Sequence, residues 1–168
     1  MLVVVGSTEV PGAALLAKLS SATRREVEVT PIAYARRIAS ALDVVAVLKG
    51  AVPITAHPSG ELWRYSGRTM GLATCGSGDV LAGAIAGPLA RGAPPAQAAV
   101  WGVALHGLSG AMWPRRFGDV GFLAREIAAE FPSILHVRAE SGPRGQICGE
   151  RWRGHKKHRH RNDACDGQ

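Results

Sequence analysis

The stretch Gly71-Leu72-Ala73-Thr74-Cys75-Gly76-Ser77-Gly78-Asp79-Val80-Leu81-Ala82-Gly83 carries the clearest chemical signal in this chain. A loop of small residues opens straight into an apolar helix, and one carboxylate stands at the joint. The consecutive backbone N–H groups of Gly76, Ser77 and Gly78 can curl into a nest, and the helix that follows turns its positive dipole end to the same place. Such a cradle suits an anion such as a phosphate. Asp79 does not bind phosphate, but it suits taking a proton from a hydroxyl that attacks one. An anion cradle beside a base is the pattern of phosphoryl transfer. The plainer alternative is a helix N-terminal carboxylate worth up to about 1 kcal/mol. A second candidate is Lys49, which follows an apolar strand and precedes Gly50, where α/β folds place ligands.

These residues need elements to hold them. Met1–Gly6 reads as a buried strand and Ala13–Leu19, after the Pro11-Gly12 turn, as a helix. Over Pro31 to Leu42, Ile32, Ala35, Ile38, Ala39 and Leu42 fall on one helical face. Val44 to Leu48 is a near-continuous apolar run, the kind buried on both faces of a sheet. Val52–Ala56 and Glu61–Tyr65 flank His57-Pro58-Ser59-Gly60 and read as a hairpin. Helices are expected over Gly78–Ala90, Ala96–Met112 and Gly121–Glu130, the last stopped by Pro132. Strands alternating with helices predict an α/β fold with a parallel or mixed sheet. Residues 1–140 form the expected domain. Residues 141–168 lose all apolar periodicity and read as a basic, disordered tail.

Composition narrows the function classes. A chain of 168 residues with 46% hydrophobic and 20% charged residues is globular in character. Its apolar runs are too short or too interrupted to cross a bilayer, so no membrane partner is expected. The start lacks the basic region of a signal peptide and the three cysteines suggest no disulfide framework, so a cytoplasmic setting is expected. The net charge is +7, of which residues 140–168 contribute +3 from seven Lys/Arg and four Asp/Glu. That is weak evidence for nucleic-acid binding, and only loose tail contact is expected. Cys148, His155, His158, His160 and Cys165 lack any Cys-x2-Cys pair, so no metal site is assigned there. His106 reads as a satisfied core histidine and Cys75 as packing or a bystander.

Residues 44–139 resemble the ADP-dependent NAD(P)H-hydrate dehydratases of the ribokinase-like superfamily. The matching segments are Val47-Leu48-Lys49-Gly50-Ala51, the Gly71–Gly83 block, Ala98 to Gly107, and Gly121-Phe122-Leu123-Ala124-Arg125-Glu126-Ile127. Val3-Val4-Val5-Gly6-Ser7 with Pro11-Gly12-Ala13-Ala14 is similar to the family's first strand and the turn after it. The resemblance implies a Rossmann-type layered sheet with flanking helices. It implies repair of hydrated NADH or NADPH: phosphate passes from ADP or ATP to the hydrate hydroxyl, and elimination restores the cofactor. Asp79 then matches the base and a hydrate contact, and Ala13 a hydrate-binding position. Gly78 matches a nucleotide-binding position, with Gly76 and Ser77 beside it in the nest. Lys49, Gly50, Ala51, Val52 and Pro53 match the nucleotide-binding segment. Mg²⁺ is expected, to neutralise phosphate charge.

Two departures from the family pattern are visible. Pro53 stands where the family usually has threonine, which removes an N–H and a hydroxyl. Only about Leu19 to Thr30 spans a region where the family has several strand–helix units. The fold is therefore expected to be an incomplete version of the family's, with a sheet edge left for self-association. A ribokinase-like kinase for a small alcohol and a non-catalytic nucleotide-binding remnant remain the alternatives.

Overall fold

The computed structural model describes residues 2–5, 29–67, 70–113, 122–140 and 149–151. Its centre is a five-stranded sheet in the order β1-β2-β3-β4-β5. The strands are β1 (Leu2–Val5), β2 (Val45–Leu48), β3 (Ile54–Ala56), β4 (Leu62–Tyr65) and β5 (Gly149–Arg151). β1 pairs parallel with β2, with Leu2 opposite Val45. The remaining pairs are antiparallel, so the sheet is mixed.

Helix α1 (Pro31–Leu42) leads into β2. Proline at its start supplies the helical φ, and Asp43 ends it in the left-handed conformation at φ 51°, one that Asp tolerates better than most residues. The Asp43 and Val44 N–H groups both donate to the Ala39 carbonyl, which turns the chain into the strand. Tyr34, Ala35, Ile38 and Ala39 form the buried face of α1. They pack with Val44, Ala46, Ile54, Ala56 and Leu62 on one side of the sheet. Val45 and Val47, the alternate residues of β2, face the other side and meet Leu81, Ile85, Ala98, Ala99 and Val103. One short strand thus serves two cores, which is why its sequence is continuously apolar.

The second face is covered by α2 (Ser77–Ala90) and α3 (Pro95–Met112). Gly102 lets them cross closely: a Cβ there would lie 3.0 Å from the Ile85 nitrogen and 3.1 Å from its Cα. At the start of α4 (Ala124–Ala129) the Leu123 N–H donates to Glu126 Oε2 at 2.6 Å, and the Glu126 N–H donates to the Leu123 backbone carbonyl at 3.0 Å.

The structure corrects two expectations. The chain does not stop being helical at Pro132: α5 runs from Phe131 to Glu140. Pro132 falls in its first turn, where no intrahelical N–H bond is required, so the residue that ends one helix begins the next. Within the stretch expected to be irregular, Gly149–Arg151 extends the sheet beside β4. The rest of 141–168 and the predicted helix at Ala13–Leu19 lie outside the described residues. Among the described residues, no helix is long and apolar enough to cross a membrane.

Candidate functional site

The end of β2, a 3₁₀ turn (Met70–Ala73) and the start of α2 meet at one place. Gly76 caps α2 at φ 81°, a conformation for which glycine is suited because it has no Cβ. Its carbonyl accepts the N–H groups of Asp79 at 3.1 Å and Val80 at 3.2 Å. The Ser77 N–H turns back to the Thr74 carbonyl at 3.2 Å, so it is not offered to a ligand. The Gly76 and Gly78 N–H groups have no backbone acceptor among the described residues. Two of the three N–H groups expected in the nest are therefore available at the positive end of α2.

Ser77 is fully buried. Its hydroxyl donates to the Leu72 carbonyl at 2.6 Å and accepts from Lys49 Nζ at 2.6 Å. Lys49 Nζ also donates to the Leu72 carbonyl at 3.0 Å. These contacts form a closed triangle that ties the 3₁₀ turn to the end of β2. Burial holds the Lys49 ammonium below the usual lysine range. From α3, His106 Nε2 lies 2.9 Å from the Ser77 carbonyl. Since a carbonyl only accepts, that nitrogen carries the proton in the bond. His106 is 4% exposed, and its pKa is lowered to about 4, by burial first and then by the Lys49 charge, against the Ser77 bond. It is neutral at ordinary pH.

Asp79 is exposed, at the third position of α2. A carboxylate there gains from the helix dipole and stands next to the glycine N–H groups. After Lys49, Gly50 and Ala51 are exposed, while Val52 and Pro53 are partly covered. The Pro53 carbonyl accepts the Tyr65 N–H at 3.1 Å, which holds the end of the segment onto the hairpin. Cys75 is an exposed free thiol in the loop and does not pack. His106 is the buried, hydrogen-bonded core histidine that its surroundings suggested, and it also touches the candidate site. Ala13 lies outside the described residues. The Leu72 carbonyl, on which two donors converge, was not foreseen, because a main-chain oxygen leaves no mark on residue type.

The fold and this site define an α/β protein in which a helix start with two available glycine N–H groups stands beside an exposed carboxylate. Residues 25–133 match the sequence model of the NAD(P)H-hydrate dehydratase family. The chain belongs to that family. It is 46% identical over 125 residues to the ADP-dependent (S)-NAD(P)H-hydrate dehydratase of Xanthomonas campestris, a match covering 74% of this chain and 43% of that protein. The protein of the same name from Neisseria meningitidis is 38% identical over 119 residues, which is 70% of this chain and 40% of that one. A Bacillus subtilis ADP/ATP-dependent NAD(P)H-hydrate dehydratase, co-crystallized with ATP/Mg²⁺, superposes with a TM-score of 0.72 at 26% identity. That superposition covers 81% of this chain and 48% of the other. The chain thus spans less than half the length of these relatives, and its fold is a part of theirs.

Proposed function

We propose that this chain restores hydrated NADH or NADPH, with ADP or ATP as phosphate donor. The observation that carries the reading is the start of α2. Two glycine N–H groups without a backbone acceptor lie at the helix's positive end, a half-buried lysine sits beneath them, and Asp79 stands exposed beside them. Family membership supplies the substrate class. In this reading Gly76 and Gly78 hold a nucleotide phosphate, and the segment Gly50 to Pro53, which follows Lys49, carries the nucleotide. Asp79 accepts the proton of the hydrate hydroxyl as its oxygen forms the bond to phosphorus, and the donor leaves as AMP when ADP is used. The C–O bond to the phosphorylated oxygen then breaks with loss of phosphate, a proton leaves the adjacent ring carbon to solvent, and the ring regains its double bond. Ala13 is assigned to the hydrate side.

Among the described residues no group of three or more His, Cys, Asp or Glu can cage a metal ion. A Mg²⁺ ion would arrive on the nucleotide phosphates, with Asp79, in the first turn of α2, as the carboxylate beside it. Bound in that way, it would neutralise phosphate charge during transfer. We place the protein in the cytoplasm, consistent with the free Cys75 thiol.

The test is recovery of the reduced-nicotinamide absorbance from hydrated NADH with Mg²⁺ and ADP. Nucleotide-dependent recovery establishes the activity. A second reading, nucleotide binding without turnover, is favoured by the short stretch from about Leu19 to Thr30, where the family has several strand–helix units. ADP binding by calorimetry with no recovery of absorbance would establish that reading instead.

A further inference from the structure

We infer that Lys49 and His106 are positioning residues that clamp Ser77 from two sides, with Lys49 acting through Ser77 and Leu72 and not as a ligand of the nucleotide. The inference rests on the reading above, that the start of α2 receives a phosphate.

Each polar group of Ser77 is engaged. Its N–H bonds to the Thr74 carbonyl, its hydroxyl to the Leu72 carbonyl and Lys49, and its carbonyl to His106. The residue that separates the two available glycine N–H groups is therefore held by β2, by the 3₁₀ turn and by α3. Leu72 is fixed twice over. Its carbonyl faces Lys49 and Ser77, and its side chain packs on α3, where a Cβ at Gly110 would come within 2.6 Å of Leu72 Cγ.

Lys49 is an expensive way to fill this space. No carboxylate lies within ion-pair distance of it among the described residues, it is half-buried, and it sits at the positive end of a helix. Two of its three N–H groups are spent on the loop, which leaves a geometry suited to holding the loop and poorly suited to gripping a phosphate. The lysine's strength as a donor suits it to this place, because a charge-assisted bond to the Leu72 carbonyl is stronger than a neutral one. His106 completes the clamp as a neutral donor, so it adds no second positive charge next to Lys49.

The experiment combines ADP titration by calorimetry with amide hydrogen exchange over residues 70–80. The variants are Lys49→Met, His106→Phe and His106→Gln, the last of which keeps an N–H donor at a similar reach. Protection of β2 and α3 amides serves as the folding control. Lys49→Met and His106→Phe are expected to speed exchange at 76–79 and to weaken ADP binding about tenfold, while His106→Gln restores both. Weaker ADP binding in Lys49→Met with unchanged loop exchange would make Lys49 a direct phosphate ligand and overturn the inference. Unchanged exchange in His106→Phe would overturn it as well. If the wild-type chain binds no ADP, the functional reading fails, whereas the exchange data on the variants still decide whether the clamp exists.

Discussion

Asp79 and His106 both touch the start of α2 and do opposite things there. Asp79 is exposed, in the first turn of α2 at the positive end of the helix dipole. Replacing it with asparagine keeps the shape and removes the base. Asp79→Asn should slow turnover by about 100-fold or more while ADP affinity stays within about threefold, because the nest is backbone. Steady-state rates alongside calorimetry check this, and wild-type turnover in the variant would remove Asp79 from the mechanism. His106 is buried and its role is read through pH. Its pKa falls from 6.5 in the open chain to about 4 in the fold, so between these values the unfolded chain binds more protons. The stability it confers is complete above pH 6.5 and is lost as pH falls towards 4. Urea unfolding from pH 7 to 4 should show wild type losing up to about 1.4 kcal/mol per pH unit more than His106→Gln in that window. Equal slopes would mean that His106 titrates normally.

Among the elements, the closest approach that can be tested is the α2–α3 crossing. Gly102 meets the Ile85 backbone, so a methyl group there forces the two helices apart. Gly102→Ala should cost about 1–3 kcal/mol in urea unfolding. Gly83, exposed in α2, has nothing within 4 Å of its would-be Cβ. Gly83→Ala should therefore stabilise by about 0.5–1 kcal/mol, since only the helix-propensity gain operates. The same sign for both variants would contradict this packing. The elements were legible in the sequence wherever burial has a period. α1 was foreseen at its observed bounds because Ala35, Ile38 and Ala39 share a face, and β2 because both its faces are covered. α5 was not, because proline ends and begins helices alike and the sequence around Pro132 does not say which. The nest was legible as a set of glycines. What the sequence could not show is that the Ser77 N–H folds back on Thr74, or that Lys49 reaches the Leu72 carbonyl 23 positions away.

For the molecule as a whole, the decisive feature is that β2 belongs to both cores. Val44 and Ala46 line the α1 side, while Val45 and Val47 line the α2–α3 side. A strand of four residues cannot keep its pairing to β3 once either face is stripped, so loss of one core removes the support of the other. The two layers should then unfold as one unit, although they share few side chains. Ile38 and Ile85 sample the two sides separately and are each at least 95% buried. Ile38→Val and Ile85→Val should each cost about 0.5–1.5 kcal/mol. Because the residues lie on opposite faces of the sheet, the double variant should equal the sum within about 0.5 kcal/mol. Circular dichroism and tryptophan fluorescence should report one coincident urea transition, with an unchanged denaturant slope in all three variants. Two separated transitions in Ile38→Val would show that the α1 layer opens alone. β2 would then stay folded on the α2–α3 core by itself, and the Lys49 end of the strand would not depend on α1.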